Sequence, residues 1–248
     1  MAIDSESAGR SDDRPADEFT DFLSLLNELK ATGCTLLVVG DVRRELFTRA
    51  SASLFGSPET LRYRLLAVTD ASSRSVERRL PDPDDSPFAL ARTTKIANYE
   101  VTPRSVAEAV PRIEEFDDIP ETRVTDAELG DLQSALVSGI DEFARRASGL
   151  RPAELRVGVD SVGALLDHHG EEVVRECCRA VGRRVRDNDG MAHYVLRDAH
   201  DSDRVRALEY EVDAVIEIRA TDPATDGHDA EQRWHVPDRE TTTNWVRL

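Results

Sequence analysis

Lysine is nearly missing from this chain. Of its 32 Lys and Arg residues only Lys30 and Lys95 are lysines, against 49 acidic residues, and the formal net charge is −17. A chain so short of positive charge lacks the basic face through which counterion release drives non-specific nucleic-acid binding, so direct nucleic-acid contact is not expected. Aromatic residues are scarce as well, at 5%. Cysteine occurs as Cys34, Cys177 and Cys178, with no CxxC spacing. Adjacent cysteines on a helix point to different faces, so these thiols read as small buried apolar residues and not as metal or redox groups. No run approaches the ~18 consecutive apolar residues of a membrane span. The N-terminus has no apolar stretch behind basic residues, the mark of a secretory signal. The expectation is a soluble, cytoplasmic protein without membrane contact.

Abundant acid with little lysine resembles the composition of proteins from salt-loving archaea. At ~1 M salt the Debye length is ~3 Å, so surface carboxylates repel one another little. On that reading the acidity reflects the solvent and says little about partners. The hydrophobic fraction of 40% still supplies a sizeable core. Residues 1–16 hold almost nothing apolar and read as a disordered tail; residues 17–248 read as one domain.

Along that domain, helical and strand patterns alternate. Phe19, Phe22, Leu23, Leu26 and Leu29 fall at helical spacing, closed by Thr32 and Gly33. Cys34 to Val39 is an apolar run of strand length, broken by Gly40 and Asp41. A helix from about Val42 carries Leu46, Phe47, Ala50 and Leu54 and stops at Gly56. Arg64 to Asp70 is a second strand, 71–87 a loop, and Ala91 to Ala97 a weak strand. Pro103, Pro111 and Pro120 interrupt the next segment. Leu129, Leu132, Leu136, Ile140 and Phe143 mark a long helix. After it, Leu155 to Ser161 is a buried strand delivering Asp160 and Ser161 to the carboxyl edge of a sheet, where open α/β sheets bind ligands. Val162 to His169 is a short helix. Glu171 to Arg186 is a long one, acidic at its start and basic at its end as the helix dipole favours, with Val173, Val174, Cys177, Cys178, Val181 and Val185 as its apolar stripe. Strands at Ala192 to Leu196 and Val212 to Ile218 flank a short helix at Val205 and Leu208. After a loop from Thr221 to Asp229, Gln232 to Val236 and Trp245 to Leu248 close the chain as short antiparallel strands. The fold expected is α/β, a mostly parallel sheet with helices on both faces and a short antiparallel C-terminal end.

Four stretches of the chain together resemble the RecA-like KaiC family of archaeal ATPases. They are Leu155 to Ser161 with the following Val162-Gly163-Ala164-Leu165-Leu166, the helix Glu172 to Arg186, the strand Val212 to Ile218, and the stretch Gln232 to Arg239. The resemblance spans roughly residues 34–248 and implies a RecA-like sheet, with Leu155 to Asp160 in the place of the family's Walker B strand. It also implies a phosphate loop, Gly-x-x-x-x-Gly-Lys-[Ser/Thr], after the first strand, whose amides and lysine hold phosphates while its hydroxyl holds magnesium. The chain departs from the family here. Val39-Gly40-Asp41-Val42-Arg43-Arg44-Glu45 has one glycine, no lysine and no Ser or Thr, and Asp41 adds negative charge where a triphosphate sits. Asp238 stands where the family has a lysine.

The expectation is therefore a degenerate relative: a non-catalytic RecA/KaiC-like regulatory or protein-interaction domain, a pseudo-ATPase without cofactor or metal, with a protein partner or a second copy of itself. Gly40, Asp41, Arg43, Arg44, Asp160 and Ser161 are its remnant nucleotide site. Asp160 is then either a relic of magnesium binding or a structural cap for the next helix. The alternative is an unconventional ATP-binding switch or ATPase, with Asp160 holding magnesium and Arg43 or Arg44 holding phosphate. A third reading, an accessory protein in DNA-linked processes, rests on the family alone. No other motif competes. His168 and His169 are adjacent and cannot both face one metal, His193 reads as a core residue within a strand, and His228 and His235 lack ligand spacing. There is neither a Gly-x-Ser-x-Gly elbow nor a dinucleotide loop.

Overall fold

All six residues of strand β1 (Cys34–Val39) are buried, as a strand covered on both faces requires. The structure, a computed structural model, describes residues 24–69, 77–99, 116, 118–124 and 128–248. Within them β1 belongs to a ten-stranded sheet with β2 (Tyr63–Val68), β3 (Thr94–Tyr99), β4 (Glu121–Val124), β5 (Leu155–Asp160), β6 (Met191–Leu196), β7 (Ala214–Ala220), β8 (Ala230–Val236), β9 (Thr241–Thr242) and β10 (Val246–Arg247). The order is β10-β8-β7-β1-β6-β5-β2-β3-β4, with β9 also on β8. Every pairing from β7 across to β4 is parallel. β8 folds back antiparallel on β7, and β9 and β10 pair antiparallel with β8. The mostly parallel α/β sheet with an antiparallel C-terminal end is thus present.

Helices cover both faces. They are α1 (24–32), α2 (Arg44–Phe55), α3 (Leu90–Thr93), α4 (Leu129–Arg146), α5 (Val162–His169), α6 (Glu171–Arg186), α7 (Asp203–Glu209) and α8 (Pro223–Asp226). On one face Leu132, Leu136 and Phe143 of α4, Val174 and Val181 of α6 and Leu208 of α7 pack on Leu37, Val39, Val157 and Val215. On the other, Leu25 of α1 and Leu46, Phe47 and Ala50 of α2 pack on Leu36, Val38, Ile216 and Trp234. Burying one such Leu or Phe side chain contributes about 1.5–3 kcal/mol, so these two layers hold the sheet in place. Cys34, Cys177 and Cys178 are free thiols in these layers, and burial pushes Cys34 and Cys177 up to about 12.

Some boundaries differ from the sequence reading. Leu90–Thr93 winds one helical turn, with the Thr93 hydroxyl donating to the Ala89 carbonyl. That turn seats Leu90 against Phe55, Leu66 and Ile96, so the strand begins only at Thr94. β4 follows Pro120 directly, in a stretch read as interrupted. Val173 is 46% exposed and lies off the α6 stripe, which runs at 174, 177, 178, 181 and 185. The tail over 1–16, the helix positions Phe19, Phe22 and Leu23, Asp70 with the loop to residue 76, and Pro103 and Pro111 lie outside the described residues.

Candidate functional site at the carboxyl edge of the sheet

The chain leaves β1 for α2 in four residues, Gly40 to Arg43. The Gly40 amide donates to the Asp198 carbonyl at 2.8 Å. A Cβ at Gly40 would stand 2.5 Å from the Ile218 carbonyl oxygen, and Gly40 has a φ of +155°. Glycine is needed here because two backbones touch. The turn is pressed onto β7 and onto the loop after β6. Asp41 and Arg43 are exposed and Arg44 is half-buried; Arg43 occupies the N-cap of α2 without a side-chain capping bond. β1 crosses toward β2 while its neighbour β6 crosses the other way to β7, so this edge is a topological switch point, where open sheets place ligands.

Asp160 and Ser161 lie on the same edge, one strand away across β6, roughly 10 Å along the sheet at the usual strand spacing. Both are 2% exposed. The Asp160 carboxylate accepts from the Arg79 guanidinium in a buried ion pair. Thr69, just past β2, holds the backbone around it. Its amide donates to the Asp160 carbonyl at 2.9 Å. Its hydroxyl donates to the Ser161 carbonyl at 2.6 Å and accepts from the Ser161 amide at 2.7 Å. The Asp160–Ser161 peptide is cis. Ser161 is the N-cap residue of α5 and makes no side-chain capping bond. Asp160 is therefore structurally engaged, but through Arg79 and not as a helix cap. Neither Arg79 nor Thr69 stands out in the sequence, since nothing in a loop-like stretch or at a strand end marks a partner so distant in the chain.

Beneath this edge, Ser51 of α2 and His193 of β6 share a hydrogen bond of 2.7 Å, Oγ to Nε2. Burial, with Arg79 and Arg156 adding to it, pushes the imidazole down to about 3. It is a neutral core histidine sealed by α2. His169 bonds the Tyr99 hydroxyl at 2.8 Å, and the His168 ring stands edge-on to it at 4.6 Å.

A second constellation forms where β7 and β8 reach the edge. Glu217 of β7 lies beside Val39 of β1 in register. His235 of β8 and His200 of the loop after β6 converge on it, with ligand atoms all within 4.8 Å of one another. His235 Nε2 is 2.8 Å from Glu217 Oε2, and its Nδ1 is 3.1 Å from the Thr242 hydroxyl. Arg233 Nε donates to the same Glu217 oxygen at 2.7 Å. The His200 ring stacks on His235 with centroids 3.9 Å apart and planes inclined by 18°. His200 Nε2 is buried and has no hydrogen-bond partner among the described residues. Burial raises the Glu217 carboxyl, but the bonds from Arg233 and His235 outweigh it and hold the group below the usual carboxylate range. Burial lowers His235; its bond to Glu217 opposes this, and His200 and Arg233 add to the lowering. Two imidazoles and a carboxylate form a set able to hold a transition metal. Sequence reading misses the set because its members stand one per segment, at 200, 217 and 235. The available signal is the hairpin: pairing Glu217 with Arg233 puts Arg233, His235 and Glu217 on one face.

No curated protein matches the chain. A family pattern does, over residues 33–218, from the start of β1 into β7; that span holds Gly40, Asp160, His200 and Glu217 and stops before His235. The chain belongs to this family, described as a family of unknown function (DUF7504).

Proposed function

We propose that the protein is a non-catalytic RecA/KaiC-like regulatory or protein-interaction domain that has lost the ATP-binding loop and acts by contact, in the cytoplasm, with a protein partner or a second copy of itself. The observation that carries this reading is the turn at Gly40. A phosphate cradle offers several free backbone amides around an anion. Here the turn is four residues long, the Gly40 amide is already donated to Asp198, and the space above Gly40 is filled by the Ile218 carbonyl. The state of Asp160 supports the same conclusion. A magnesium-holding carboxylate faces solvent and phosphate, whereas this one is buried against Arg79. The residues present thus do not fit a magnesium–triphosphate group. The stretches that carry the RecA/KaiC resemblance fall on β5 with α5, on α6, on β7 and on β8, within one sheet and its helical cover.

An ATPase assay on the full chain in molar potassium chloride tests the reading. No magnesium-dependent phosphate release above the no-enzyme rate is expected. Magnesium-dependent turnover by the wild-type chain would overturn the proposal.

A further inference from the structure

We propose that His200, Glu217 and His235 form a binding site for a divalent transition metal of the zinc class. The inference is independent of the reading of the lost phosphate loop. The donor set suits such a metal, because imidazole nitrogens favour zinc and its first-row neighbours over magnesium or calcium. Two histidines and one carboxylate also leave a coordination position open to water or an external ligand.

The strongest single observation is His200 Nε2, a buried ring nitrogen with no hydrogen bond among the described residues. Leaving a buried polar atom unsatisfied is unfavourable, and this ring is a member of the cluster whose ligand atoms lie within 4.8 Å of one another. The cluster also has its outer support in place. Behind His235, the Thr242 hydroxyl meets Nδ1 and can accept a proton from it or donate one to it. The neutral ring has one proton; in the tautomer with that proton on Nδ1, Nδ1 donates to Thr242 and the Nε2 lone pair is left free for a metal, so the Thr242 contact supports the metal-binding tautomer. Arg233 and His235 both engage Glu217 Oε2, so Oε1, which makes no hydrogen bond among the described residues, is the oxygen offered to the metal. The rings of His200 and His235 are stacked; binding one ion requires rotation about the ring torsions to turn both lone pairs onto it.

The test is a zinc chloride titration of the full chain by calorimetry, in molar potassium chloride with excess magnesium chloride to occupy surface carboxylates. It is repeated with cobalt(II), whose visible absorption reports imidazole ligation. One zinc per chain is expected. His200→Gln, which has no Nε2 hydrogen bond to lose, is expected to keep the wild-type circular dichroism and bind zinc at least ~10-fold more weakly, and Thr242→Val to weaken it by ~10-fold through the outer contact. Absence of stoichiometric binding by the wild-type chain would overturn the proposal. So would zinc and cobalt titrations of His200→Gln that match the wild type.

Discussion

At the scale of single residues, Asp160 matters most. A carboxylate at the end of a central strand invites assignment as a metal ligand, yet its surroundings give it a different task. Arg79 and Asp160 are both almost wholly buried, and removing one member of such a pair strands the other charge in the core. Arg79→Met is expected to cost about 3–5 kcal/mol in urea unfolding, and the double variant Arg79→Met/Asp160→Leu to recover most of that loss. If both variants lost the same stability, the pair would not be the unit that matters. His193 supplies a second test. Its folded value is pushed from 6.5 to about 3, so the unfolded chain takes up the proton more readily and acid favours unfolding. Stability from this group is complete above about 6.5 and falls as the pH drops toward 3. By pH 5 the loss is about 2 kcal/mol. Unfolding at pH 7 and pH 5 is expected to show that difference, and His193→Gln to reduce it.

At the scale of elements, the alternation of patterns made β1, β2, β5, β6, β7, α4 and α6 legible in the sequence, because each is a continuous apolar run or an unbroken helical stripe. β4 was not legible. It is four residues long with only Val124 buried, so it carries no hydrophobic signature, and it exists because β3 offers it an edge. The one-turn helix α3 hid for a related reason: Leu90 is placed by the pocket around Phe55 and Ile96 and not by local periodicity. Of the candidate site, the edge position of Gly40 and Asp160 could be read from the strand ends. Arg79, Thr69 and His200 could not, since each becomes relevant only once strands distant in sequence lie side by side. Gly158 shows the same tertiary control. In sequence it is a weak point in a strand; in the fold a Cβ there would lie 2.6 Å from the Phe55 ring and 2.7 Å from His193. These rings meet edge to face at 4.9 Å and fill the space the glycine leaves. Gly158→Ala is expected to destabilise the protein by about 1–3 kcal/mol through overpacking. An alanine variant as stable as the wild type would mean that α2 can move away from β5.

At the scale of the whole molecule, a ten-stranded sheet brings β1, β5, β6 and β7 to one edge and closes that edge from several directions. The turn after β1 leans on β7, Arg79 is drawn onto the end of β5, and the loop after β6 accepts the Gly40 amide. On the proposed reading, the Gly40 amide and the Asp160 carboxylate are thereby engaged within the fold. The charge of −17 acts in the same direction, since an anionic nucleotide approaches an anionic protein; molar salt removes that repulsion and so gives binding its best chance. Among the described residues no helix is long and apolar enough to cross a membrane. The proposal that this edge no longer binds a nucleotide can be checked by calorimetric titration of the full chain with magnesium and ATP in molar potassium chloride. No heat of binding beyond dilution is expected. A stoichiometric, micromolar, magnesium-dependent association of ATP with the wild-type chain would contradict that proposal.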